Sequence, residues 1–94
     1  MKFDVCIDID AIDFINSQTD KRRRIIEKHL KALEEDPYPG SRCNKELLNL
    51  RPGVKIYRLH IARMFTAFYE IEERTVYVNE VLTIGQAHKK YKGL

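Results

Sequence analysis

The chain reads as an α+β domain: an N-terminal strand, two helices, then an antiparallel strand meander, with the helices packed on one sheet face. Three observations predict this. Residues 2–9 alternate with period two and put Phe3, Val5, Ile7 and Ile9 on one face. Residues 21–35 switch to helical spacing, with Ile25, Ile26, Leu30 and Leu33 on one stripe and Lys and Glu elsewhere. From residue 46 to Gly85, short alternating runs are joined by links short enough to force antiparallel neighbours. Helices bunched ahead of a meander cover one face of the sheet and leave the other partly open.

The elements follow in order. After the first strand, Asp10 suits the N-cap of a short helix from 11 to about 17, with Ile12 and Ile15 facing the core. Asp20 suits the second N-cap. Pro37 and Pro39 stop the second helix, because a residue preceding proline avoids the helical region. A short strand is expected at 46–50, and Pro52-Gly53 fits a type II turn. Residues 55–61 alternate, with Tyr57, Leu59 and Ile61 on one face and Ile56, Arg58 and His60 on the other. Ala62-Arg63 is a tight link to a strand carrying Phe65, Ala67, Tyr69 and Ile71 inward. Glu72-Glu73-Arg74 turns the chain again, and Val76, Val78, Leu82 and Ile84 continue the pattern. Residues 86–94 read as a polar, lysine-rich tail.

At 94 residues, the whole stretch 1–94 is expected to be one domain. The apolar fraction of 44% suffices for one core, and no apolar run approaches the ~20 residues of a spanning helix. Met1-Lys2-Phe3 leads into an acid-punctuated segment and not a signal peptide, so a cytoplasmic protein without a membrane partner is expected. Cys6 and Cys43 lack the paired spacing of a zinc site, and His29, His60 and His88 lack ligand spacing. No glycine-rich phosphate loop is present. No metal and no small-molecule cofactor is therefore expected.

Net charge is +3, and its distribution is uneven. Asp4, Asp8, Asp10, Asp13 and Asp20 make the first twenty residues acidic. Arg42, Lys45, Arg51, Lys55, Arg58 and Arg63 make a basic middle, and Lys89, Lys90 and Lys92 a basic end. Basic clusters on a small domain make nucleic acid the first partner to consider. The run Lys21-Arg22-Arg23-Arg24 does not serve this, because four consecutive residues wrap around a helix.

Two segments carry candidate chemistry. Arg58 and His60, two apart on a strand, share one face. Gly85-Gln86-Ala87-His88-Lys89-Lys90-Tyr91 brings a second set. RNA can be cut by its own 2′-hydroxyl when a base takes the proton, a cation stabilises the phosphorane and an acid protonates the leaving 5′-oxygen. Arg58 is the candidate phosphate contact, His60 or His88 the proton carrier, and Tyr91 the base-stacking or proton-donating group. Lys45, Arg63, Lys89 and Lys90 are the candidate RNA-backbone contacts. The same residues also fit a solvated sheet face and a tail.

Tyr57-Arg58-Leu59-His60-Ile61, Phe65-Thr66-Ala67-Phe68-Tyr69-Glu70-Ile71 and Val81-Leu82-Thr83-Ile84-Gly85, with Tyr91 six residues after that glycine, resemble the RelE/ParE toxin superfamily. The resemblance spans nearly the whole chain in short motifs. It implies the strand-helix-helix-sheet fold and a toxin of a toxin–antitoxin pair. For RelE-type members it implies an endoribonuclease that cuts mRNA on the ribosome, with a cognate antitoxin as partner. Arg58 and His60 match the family's basic strand pair, and Tyr91 matches its C-terminal tyrosine. Thr66 stands where the family usually has arginine, and Gln86 and Ala87 replace the start of its basic run. Those departures keep a second expectation open: a ParE-like gyrase inhibitor, or a module that only binds its antitoxin.

Overall fold

The computed structural model describes residues 2–40 and 44–91. The elements are β1 (Asp4–Ile7), α1 (Ile9–Asn16), α2 (Asp20–Ala32), β2 (Lys45–Arg51), β3 (Val54–Ile61), β4 (Phe65–Glu72), β5 (Thr75–Thr83) and α3 (Ile84–Lys90). Strands order β1-β5-β4-β3-β2 in one sheet. Pairs from β2 to β5 are antiparallel, as their short links require. β1 has no short link to any strand and pairs parallel with β5, which makes the sheet mixed. Cys43 lies outside the described residues, and Cys6 is a free, exposed thiol on β1. Among the described residues no helix is long and apolar enough to cross a membrane.

Both N-caps fall before the expected positions. Asp8, not Asp10, caps α1, its carboxylate accepting from Asp10 N at 3.1 Å. Thr19, not Asp20, caps α2 through Arg22 N at 3.3 Å. The early start of α1 takes Ile9 out of the strand and leaves it 70% exposed. The buried stripe of α1 is Ala11 and Ile15, one turn apart, while Ile12 faces solvent more than the core. Ile26 and Leu30 of α2 and its C-cap Leu33 are buried as their spacing predicts.

The helix-side core centres on Tyr57, Leu59 and Ile61 of β3 and their neighbours Phe65, Ala67 and Tyr69 of β4. Tyr57 stacks on Tyr69 with ring centroids 5.4 Å apart. The Tyr69 hydroxyl donates to the Pro37 carbonyl at 2.6 Å, tying the loop after α2 to the sheet. Burial pushes that phenol's pKa up, so it stays a donor.

β5 departs from simple alternation. Tyr69 pairs with Val78 but Phe68 pairs with Glu80, so Asn79 is an extra residue, a bulge. Val76, Val78 and Val81 therefore reach the helix-side core, and Leu82 turns to the opposite face. The expected Val76-Val78-Leu82-Ile84 face breaks at this point. Ile84 begins α3, which replaces the expected tail. Its start is a capping box: Gln86 N donates to Thr83 Oγ1 at 3.1 Å, and Thr83 N donates to Gln86 Oε1 at 3.0 Å. Two helices thus cover one sheet face, and α3 covers part of the other, where Ala87 packs with Leu48 and Phe68.

The β4–β5 link has Glu73 at φ 56°, with Arg74 closing a two-residue loop between the paired Glu72 and Thr75. A side chain at positive φ is strained, and glycine is favoured at the first loop position of such hairpins. Glu73→Gly is expected to raise stability by about 1 kcal/mol in urea unfolding. A lowered midpoint would contradict this account of the turn.

Candidate functional site

The register of the sheet builds the site row by row. Glu46 pairs with Arg58, Arg58 with Phe68, and Phe68 with Glu80. Paired residues point to the same face, so these four cross the sheet in one line on the face opposite α1 and α2. The next row is His60, Thr66 and Leu82. α3 lies over this face, and Arg58, His60, Thr66, Ile84, Ala87 and His88 line a depression of about 100 Å³. That volume suits a phosphate group and not a whole nucleotide.

Arg58 is the least exposed charge here, with 17% of its side chain accessible. Its Nη2 donates to Glu46 Oε1, and the same oxygen lies 3.5 Å from His60 Nε2. An ion so withdrawn needs a partner, because stripping one from a buried pair costs about 3–5 kcal/mol at full burial. The pairing is incomplete: among the described residues, Arg58 Nε is buried without an acceptor and Asn44 Oδ1 without a donor. His60 has its pKa lowered below the ordinary 6.5, first by burial and then by the Arg58 charge. The lowered pKa favours the neutral imidazole, which can accept a proton.

His88 joins Arg58 and His60 at the depression, as an exposed residue of α3. Tyr91 does not. Its ring packs on Phe68 at 5.0 Å, and its hydroxyl donates to Glu80. Burial first, then the Glu80 bond, pushes the phenol's pKa up. Lys90 Nζ also reaches Glu80, at 2.5 Å, which raises the ammonium's pKa. Tyr91 and Lys90 thus fasten α3 to β5. Lys89 is exposed on α3, and Arg63 is exposed in the β3–β4 turn, where it and Ala62 take positive φ. Lys45 pairs with Leu59 and so belongs to the opposite, helix-side register.

Sequence reasoning missed Glu46 and Glu80. The partner of each follows from strand register, which single-sequence alternation does not supply. Thr66 is 3% exposed, and its hydroxyl donates to the Leu59 carbonyl at 3.4 Å. It fills a position under the depression and brings no cation.

Glu80→Ala removes the acceptor of both Tyr91 and Lys90. Amide exchange in α3 is expected to speed up well before that of β4, with a global loss of about 1 kcal/mol. Unchanged exchange at Tyr91, whose amide donates to the Ala87 carbonyl, would show that Glu80 does not hold the helix.

No family model matches the chain, and no curated protein matches it either. Solved structures do. The archaeal RelE of a RelE–RelB complex from Pyrococcus horikoshii superposes with a TM-score of 0.75 at 17% identity, covering 93% of this chain and all of that one. A mutant of the Escherichia coli toxin RelE in the free state gives 0.58 at 16% identity, covering 97% and 92%. A copper-bound mutant toxin from Helicobacter pylori gives 0.60 at 10% identity, covering 89% and 97%. At such identities the likeness is one of backbone, and it extends over nearly the full length: the chain has the RelE-toxin fold.

Proposed function

We propose that the chain is the toxin of a toxin–antitoxin pair, an endoribonuclease that cuts mRNA on the ribosome and is held inactive by an antitoxin. The observation that carries this reading is the meeting of Arg58, His60 and His88 at one phosphate-sized depression on the open sheet face. The RelE–RelB complex among the structural neighbours supports the antitoxin partner.

Arg58 contacts the scissile phosphate and stabilises the charge of the phosphorane. Neutral His60 takes the 2′-hydroxyl proton as the 2′-oxygen attacks phosphorus. His88, across the depression, delivers a proton to the leaving 5′-oxygen. The products are a 2′,3′-cyclic phosphate and a free 5′-hydroxyl. Lys89 and Arg63 hold the flanking RNA backbone. Tyr91 acts by fastening α3, and so His88, in place. Lys45 has no part in this set.

A second reading draws on a specific observation. Thr66, buried and bonded to Leu59, stands where the resemblance calls for arginine, so among the described residues Arg58 is the one guanidinium lining the depression, and it is paired internally. This favours a ParE-like gyrase inhibitor or an antitoxin-binding module. Cell-free translation separates the two. The first reading expects mRNA cut within codons and a fall of about 10²–10³ in cleavage rate for Arg58→Ala. Intact mRNA, with supercoiling by gyrase blocked, would support the second.

The lowered pKa of His60 fixes the sign of the pH profile. A general base works deprotonated, so the acid limb of the cleavage profile is expected to rise with pH and to be centred below 6.5. A limb centred above 6.5 would remove His60 from the base role.

A further inference from the structure

Glu46, Arg58 and His60 are already an occupied anion site. A single carboxylate oxygen, Glu46 Oε1, serves both the Arg58 guanidinium and the His60 imidazole. It serves them poorly, since among the described residues the buried guanidinium Nε has no acceptor. Glu46 itself sits on β2, an edge strand, with 43% of its side chain accessible, so it has room to swing into solvent. Arg58, at 17%, has no such freedom. A phosphodiester differs from this carboxylate contact in presenting two non-bridging oxygens, which match the guanidinium fork. Both anions cannot hold Arg58 together, because like charges at contact distance repel strongly in a partly desolvated site.

We infer that Glu46 is a displaceable internal plug, a carboxylate that competes with an RNA phosphodiester for Arg58 and His60 and must leave before the substrate phosphate can seat. This rests on the phosphodiester reading of the site and adds its regulation: affinity for RNA is set by the strength of an internal ion pair. The free protein is thereby kept from holding any RNA it meets. Ligands that offer several phosphates and hold the strand in place overcome the plug, whereas isolated phosphates do not.

The test is binding of a 2′-O-methyl RNA hexamer, which lacks the attacking hydroxyl. It is measured for the unaltered protein, Glu46→Gln, Arg58→Ala and the double variant. Glu46→Gln is expected to bind roughly tenfold tighter, and the gain is expected to vanish when Arg58 is also replaced. A gain that survives without Arg58 is a general charge effect and overturns the plug. If Arg58→Ala weakens binding while Glu46→Gln does not strengthen it, the plug is wrong and the phosphodiester reading stands. If Arg58→Ala changes nothing in either background, both fail. In the unaltered protein the same titration is expected to shift the Glu46 carboxyl 13C resonance as its partners leave. A resonance that stays in place at saturation overturns the proposal without relying on any variant.

Discussion

The pleat of β3 is the constraint on which the site depends. Its period of two sends Tyr57, Leu59 and Ile61 into the core beneath α1 and α2, and it sends Ile56, Arg58 and His60 to the other face. The apolar half of the strand is locked by burial, so the polar half has no freedom to change sides. β4 is fixed to the same register from its own buried residues, and the cross-sheet row of Glu46, Arg58, Phe68 and Glu80 follows. Packing energy on one face thus positions charge on the other.

Two carboxylates end that row, and they do different work. Glu80 accepts from Tyr91 and Lys90 and fastens the terminal helix, adding to the packing of Ala87 and the Tyr91 ring on Phe68 and to the capping box. Glu46 neutralises a guanidinium that has lost most of its water. Without an anion beside it, Arg58 would be costly to keep in the folded state. A site built to hold phosphate needs a withdrawn cation, and a withdrawn cation needs an anion while phosphate is absent. Glu46 meets that need, and the proposed plug is its consequence. The lowered pKa of His60 comes first from burial and then from the neighbouring Arg58 charge.

Much of this was legible in the residues. The alternation of β3 placed Arg58 and His60 together, and the stripe of Ile26, Leu30 and Leu33 placed α2 on the opposite face. The Thr83-x-x-Gln86 box was also legible, yet the lysines that follow it made residues 86–94 look like a tail. The bulge at Asn79 was not legible, because an inserted residue shows only against the partner strand. The parallel pairing of β1 escaped for a similar reason: it is decided by where two helices return the chain. Tyr91 shows the limit of motif reasoning. Its spacing from Gly85 fits the resemblance, but its hydroxyl is engaged by Glu80, a residue that only the sheet register brings near.

The central claim is that Arg58, His60 and His88 form one phosphodiester site on the face opposite α1 and α2. Chemical-shift mapping with a 2′-O-methyl RNA trinucleotide tests it most directly. The account predicts the largest perturbations at Arg58, His60, Thr66 and His88, with α1 and α2 unchanged. Perturbations confined to the helical face, or spread evenly over surface lysines, would contradict it.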